Sequence, residues 1–197
     1  MKILLSTNNK KKYNEFKQIV SPLGIEIATP EILGLSLDVE ETGSTFEENA
    51  ALKSNALYSI TKIPTLADDS GICVSHLNGA PGIYSARYGS TGLDDRGRAE
   101  YLLEAMENIE NRKAYYVCCL AYTNSKGTFY VREECHGELT TEYDEEGTYG
   151  FGYDPIFYYP PLNSVFSRVL PEEKNIVSHR GKALKVFYEN YKNGIYE

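Results

Sequence analysis

Tryptophan is absent from this 197-residue sequence, and methionine (2), histidine (3) and cysteine (4) are scarce. Cys73, Cys118, Cys119 and Cys135 form no C-x-x-C pair, and His76, His136 and His179 lie far apart, so the spacing argues against zinc. Cys118 and Cys119 sit inside the apolar run YYVCCLAY, where reduced thiols pack as small apolar side chains. No apolar run approaches the roughly 18–20 residues that cross a bilayer, so no membrane partner is expected. The amino-terminal stretch turns polar after four apolar residues, too few for a signal-peptide core, which points to the cytoplasm. Positive charge is also in deficit: 20 Lys and Arg face 28 Asp and Glu, a formal charge of -8. Nucleic acid is therefore disfavoured as a partner, because affinity for a phosphate backbone needs a broad basic surface. Local cation clusters on an acidic body suit a small anion better.

What is present is 17 Tyr, 7 Phe and a 42% apolar composition, as in an ordinary globular chain of one domain, 1–197. Lys2 to Ser6 reads as a buried strand, followed by a polar turn. Tyr13, Phe16, Ile19 and Val20 then recur at helical spacing until Gly24. Thr45 and Glu48 form a T-x-x-E box opening a helix to about Ile60, and Asp94 and Asp95 start another. Ile25 to Ala28 and Ile72 to Ser75 read as short strands, with Asp68 and Asp69 as candidate turn residues before the second. Tyr115–Tyr122 and Phe129–Glu134 read as paired strands around a turn, and a last helix spans about Ser178 to Tyr191. Helices and strands alternate first and strands pair later, which predicts an α/β protein with a mixed sheet.

Five segments carry chemistry. Thr7, Asn8, Asn9, Lys10, Lys11 and Lys12 lie between the first strand and first helix, where backbone N–H groups and the helix dipole favour an anion. Glu40 and Glu41, in DVEETG, offer the one or two carboxylates that Mg²⁺ takes when phosphates complete its shell. Asp68 and Asp69, ahead of Ser70 and Gly71, end an apolar stretch where unpaired charge is costly, so a metal or general-base role is expected for one of them. Phe151, Gly152, Tyr153 and Asp154, in GFGYDPIF, suit the approach of a flat ligand. Lys174 and then His179, Arg180 and Lys182 follow, the last three in a helix first turn that prefers negative charge.

In this order the segments resemble the inosine triphosphate pyrophosphatase family. The resemblance is carried by T-x-N-x-x-K-x-x-E (Thr7, Asn9, Lys12, Glu15), EETG, TFEENAxxKxxA, LADDSG, GAPGIYSARYG, GFGYDPIF and SHRGKAL, and it spans nearly the whole chain. It implies an elongated mixed sheet flanked by helices, in two lobes with a central substrate cleft, and a homodimer. The implied reaction is Mg²⁺-dependent hydrolysis of ITP, dITP or XTP to the monophosphate and pyrophosphate. By the same resemblance, Lys12, Lys174 and Arg180 neutralise phosphates, together with the Thr7–Lys12 loop. Glu40 or Glu41 and Asp69 hold the metal, and Asp69 activates water with Asp68 in support. Ser70 touches substrate and Phe151 stacks on the purine, while Asp154, His179 and Arg180 read its edge. The alternatives are a pyrophosphatase of pyrimidine or modified nucleotides and a catalytically silent nucleotide sensor.

Overall fold

The computed structural model describes residues 2–197. Strand β1 (Lys2–Ser6) has four consecutive buried residues and leads into helix α1 (Lys10–Val20), which buries Phe16 and Val20. Strand β2 (Glu26–Ala28) pairs parallel with β1 through Ile3 opposite Ile27. Helix α2 (Phe46–Thr61) is capped by Thr45, whose side chain accepts the Glu48 N–H. The chain then enters strand β3 (Thr65–Val74), parallel to β1 with Leu5 opposite Leu66. Helix α3 (Asp95–Ala105), capped by Asp94, precedes strands β4 (Lys113–Asn124) and β5 (Gly127–Leu139). Short strands β6 (Phe157–Tyr159) and β7 (Ser164–Val165) continue antiparallel from β5. Helices α4 (Pro171–Val177) and α5 (His179–Lys192) complete the chain. Among the described residues the seven strands run β2-β1-β3-β4-β5-β6-β7, the mixed sheet that the alternation predicted, with the flanking helices that the resemblance implied.

The chain divides into two compact units, and the division falls within β3, β4 and β5. The first comprises the chain up to Asp69, Cys118–Glu133 and Arg180–Glu197. Its core joins Ile3, Leu5, Phe16, Leu66, Leu120, Leu184 and Phe187, each large apolar side chain adding roughly 1.5–3 kcal/mol on burial. The second comprises Ser70–Val117 and Glu134–His179, with Ile72, Leu102, Met106, Tyr116, Phe157 and Phe166 at its centre.

Two local expectations change. Asp68–Asp69–Ser70–Gly71 is not a turn before a short strand but the middle of the ten-residue β3. Partner cations allow buried carboxylates there, and Gly71 serves close approach instead of chain reversal. A Cβ at Gly71 would lie 2.3 Å from the Gly82 carbonyl oxygen and 2.4 Å from Ser85 Oγ. Helix α4 was not anticipated. Its seven residues are too few to show a period, although Pro171 occupies the first helical turn, where a missing N–H costs nothing.

Candidate active site

In the first unit, the end of β1 passes into α1 through a loop tied by its own side chains. Thr7 Oγ1 accepts the Asn9 N–H (3.2 Å), and Asn8 Nδ2 donates to the Leu37 carbonyl oxygen (3.2 Å). Asn9 caps the helix, accepting the N–H groups of Lys11 (2.9 Å) and Lys12 (3.1 Å). Those two donors are thus engaged by Asn9, while the side chains of Lys10 and Lys11 are exposed. Lys12 points inward, with Nζ 3.1 Å from Asp68 Oδ2.

Successive β3 side chains point to opposite faces of the sheet, which sends the adjacent aspartates to different partners. Asp68, 1% exposed, meets Lys12 from α1 and Arg180 Nη2 from the first turn of α5 (3.3 Å). Arg180 also pairs with Glu15, one turn beyond Lys12. Burial pushes the Asp68 carboxyl up, but Lys12, Arg180 and Lys53 outweigh it and hold it well below the usual carboxylate range. Asp69 faces α2 instead: Asn49 Nδ2 lies 3.3 Å from Oδ2 and Lys53 Nζ 3.4 Å from Oδ1. Burial pushes the Asp69 carboxyl up to about 6, with Glu41 and Asp68 adding to the rise and Lys53 and Lys12 opposing it. One strand thereby presents two carboxylates of opposite character: one permanently ionised, the other able to exchange a proton near neutrality.

The EETG loop is held beside Asp69 by the same helix. Asn49 is fully buried; its Oδ1 accepts the Gly43 N–H (2.8 Å) while its amide donates to Asp69. Lys53 Nζ lies 2.6 Å from Glu41 Oε1, so Glu41 and Asp69 share one ammonium, whereas Glu40 is exposed. Among the described residues no group of three or more His, Cys, Asp and Glu converges on a point. Glu41 and Asp69, which face one ammonium, are the carboxylates whose oxygens could serve as donors to a divalent cation.

In the second unit, Asp154 is 2% exposed and holds three groups at once. Lys174 Nζ lies 2.6 Å from its Oδ2, which also accepts the Phe151 N–H (2.8 Å). Tyr116 Oη donates to Oδ1 (3.2 Å). The Lys174 ammonium lies 5.5 Å from the ring centroids of both Phe151 and Phe166. The Tyr116 ring stacks on the His179 imidazole at 4.7 Å and 9°. Gly152 donates its N–H to Asp95 (3.2 Å), and Tyr153 Oη donates to the Ser85 carbonyl oxygen (2.7 Å). Ser70 is half-buried in β3. Tyr116→Phe should lower stability by about 2 kcal/mol, the usual worth of a hydrogen bond to a charged group, with an unchanged denaturant slope in urea titrations. A loss beyond about 3 kcal/mol would contradict the hydroxyl's role as one of three donors to Asp154.

Four of these residues were given no role from the sequence: Glu15, Asn49, Lys53 and Tyr116. The first three lay within recognised motifs. Glu15 follows Lys12 by three positions on α1, and Lys53 follows Asn49 by four on α2, spacings that put each pair on one helix face. Tyr116, inside an apolar strand, carried no signal beyond a phenol that needs a partner when buried.

The model of the Ham1 family matches residues 3–190. This chain belongs to the Ham1 family. A dITP/XTP pyrophosphatase of Leptospira interrogans is 52% identical over 182 residues, 92% of each chain. A dITP/XTP pyrophosphatase of Aquifex aeolicus is 43% identical over 98% of each chain. The solved structure of the Staphylococcus aureus Ham1 protein superposes with a TM-score of 0.88 at 37% identity, covering 98% of this chain and 100% of that one.

Proposed function

We propose that this Ham1-family protein hydrolyses dITP, ITP and XTP between the α- and β-phosphates, releasing the monophosphate and pyrophosphate, and so removes deaminated purines from the nucleotide pool. The observation that carries the reading is the pair of opposed aspartates in β3. Asp68 is locked to Lys12 and Arg180, while Asp69 stands with Glu41 around Lys53. Phosphoryl transfer requires this division between cations for phosphate charge and carboxylates for metal and water. The names of the relatives support the substrate class.

Mg²⁺, when bound, supplies Lewis-acid polarisation of the phosphate oxygens. Glu41 and Asp69 would hold it, and the exposed Glu40 is the lesser candidate. Asp69 orients the attacking water and accepts its proton. Lys12 and Arg180 neutralise phosphate charge, with the Thr7–Lys12 loop and Ser70 beside them. In the second unit, Phe151 stacks on the purine and His179 donates to its 6-keto oxygen. Asp154 and Lys174 keep the Phe151 loop in place, Asp154 acting as a positioning residue. An adenine amino group would leave the donor unpaired, which is the basis for rejecting ATP. The whole chain, 1–197, acts as one catalytic domain and works as a homodimer in the cytoplasm.

A panel of dITP, ITP, XTP, ATP, GTP, dUTP and dTTP with Mg²⁺ and pyrophosphate detection tests this directly. The deaminated purines should lead ATP by about 10²-fold or more in kcat/KM. Preference for dUTP or dTTP would favour the pyrimidine alternative, and binding without turnover would favour the sensor. Phe151→Ala should raise KM about tenfold, since stacking on a base contributes roughly 1–3 kcal/mol. An unchanged KM removes Phe151 from the base site.

A further inference from the structure

Lys53 has no part in the mechanism above, yet it occupies the position between its two metal-binding carboxylates. It projects from the middle of α2, one turn after Asn49, and only 14% of its side chain is exposed. Its Nζ lies 2.6 Å from Glu41 Oε1 and 3.4 Å from Asp69 Oδ1. Asn49 fixes the other Asp69 oxygen and the Gly43 N–H, so one face of α2 aims both carboxylates at one ammonium. Two carboxylates this close repel unless a cation stands between them, and here the chain supplies its own. A flexible four-carbon stem can yield that position, which a rigid guanidinium fork would do less readily.

We propose that Lys53 is a resident counter-cation, which holds Glu41 and Asp69 together in the resting protein and must be displaced before a divalent ion is bound. The inference rests on the assignment of Glu41 and Asp69 to the metal. Its consequence is a protein that takes up free divalent ions weakly and is loaded mainly when the ion arrives with a triphosphate. The phosphates bring further oxygen ligands to the ion, which favours the displacement. Lys53 is in this sense a positioning residue that sets the metal threshold.

Mn²⁺ is a suitable probe, because its free concentration is read by electron paramagnetic resonance on the intact, nucleotide-free protein. Lys53→Met should bind Mn²⁺ about tenfold more tightly than the parent, the scale of removing one competing charge near a partly exposed pair. Adding Glu41→Gln to Lys53→Met should abolish the gain, and Mg²⁺ should raise the melting temperature of Lys53→Met more than that of the parent. Lys53→Gln, which keeps a hydrogen-bond donor without the charge, should behave likewise if Lys53→Met folds poorly. Equal or weaker Mn²⁺ affinity in both folded variants, or no detectable binding in either, overturns the proposal. Failure of the underlying metal assignment looks different: Glu41→Gln and Asp69→Asn would then leave Mn²⁺ binding unchanged with or without nucleotide.

Discussion

Asp69→Asn should lower pyrophosphate release about 10³-fold, the usual scale for loss of a general base, while leaving the protein folded. The amide preserves the shape that accepts from Asn49, but it can neither take a proton from water nor present anionic oxygen beside Glu41. Stability should move the other way. Held at about 6 instead of 3.8, the carboxyl makes the ionised, metal-free form less stable by up to about 3 kcal/mol. Because the folded protein binds this proton more tightly, the protonated form's contribution is fully present below about pH 4 and lost as pH rises through 6. Asn carries no such dependence. In chelator, the variant should therefore match the parent at pH 4 and melt at an equal or higher temperature at pH 8. Normal turnover would sink the catalytic assignment, and a large fall in melting temperature at pH 8 would sink the electrostatic one.

Asp68→Ala should do the reverse and destabilise the fold, not merely silence the site. Its carboxylate is 1% exposed and lies within 3.1 Å of Lys12 and 3.3 Å of Arg180. Removing one partner of a buried ion cluster leaves the others uncompensated, at a cost of about 3–5 kcal/mol. Arg180 keeps Glu15, so the lower end of that range is expected. The pH dependence also has the opposite sign to that of Asp69. The folded Asp68 carboxyl lies far below its ordinary 3.8, so its stabilisation is present above about pH 4 and is lost as the pH falls further. Urea midpoints at pH 7 and pH 3.5 check this: the gap between parent and variant should be wide at the first and narrower at the second. An unchanged midpoint at pH 7 would mean that Lys12 and Arg180 do not depend on Asp68.

The two aspartates show where a sequence stops being legible. As adjacent letters they are equivalent, and because two unpaired charges at the end of an apolar stretch are unfavourable they point to a metal or general-base role for one of them without saying which. Their roles diverge only because a strand alternates faces, placing α1 and α5 against one side chain and α2 against the other. Glu40 and Glu41 pose the same problem. The pair was evident, but its resolution came from Asn49 and Lys53, eight and twelve positions beyond Glu41. Asp154 was noted as a polar group beside a flat-ligand loop. The structure gives its oxygens to Lys174, Phe151 and Tyr116, partners that come from three separate stretches of chain.

The sequence alone determined the local structure of this protein: a strand, a helix carrying Tyr13, Phe16, Ile19 and Val20, a capping box at Thr45, a hairpin around Asn124 and the mixed α/β character. It also showed the misplaced cations, because lysines and arginine in the first turns of two helices oppose the helix dipole over only a few residues. Each of these depends on interactions between near neighbours, which periodicity and capping chemistry express directly. Only the tertiary structure decided which carboxylate each cation serves. Lys12 and Asp68 are 56 positions apart and Asp68 and Arg180 are 112, and pairing over such spans is set by sheet order and strand register. That long-range pairing separates the locked aspartate from the reactive one, and so determines what the site can do.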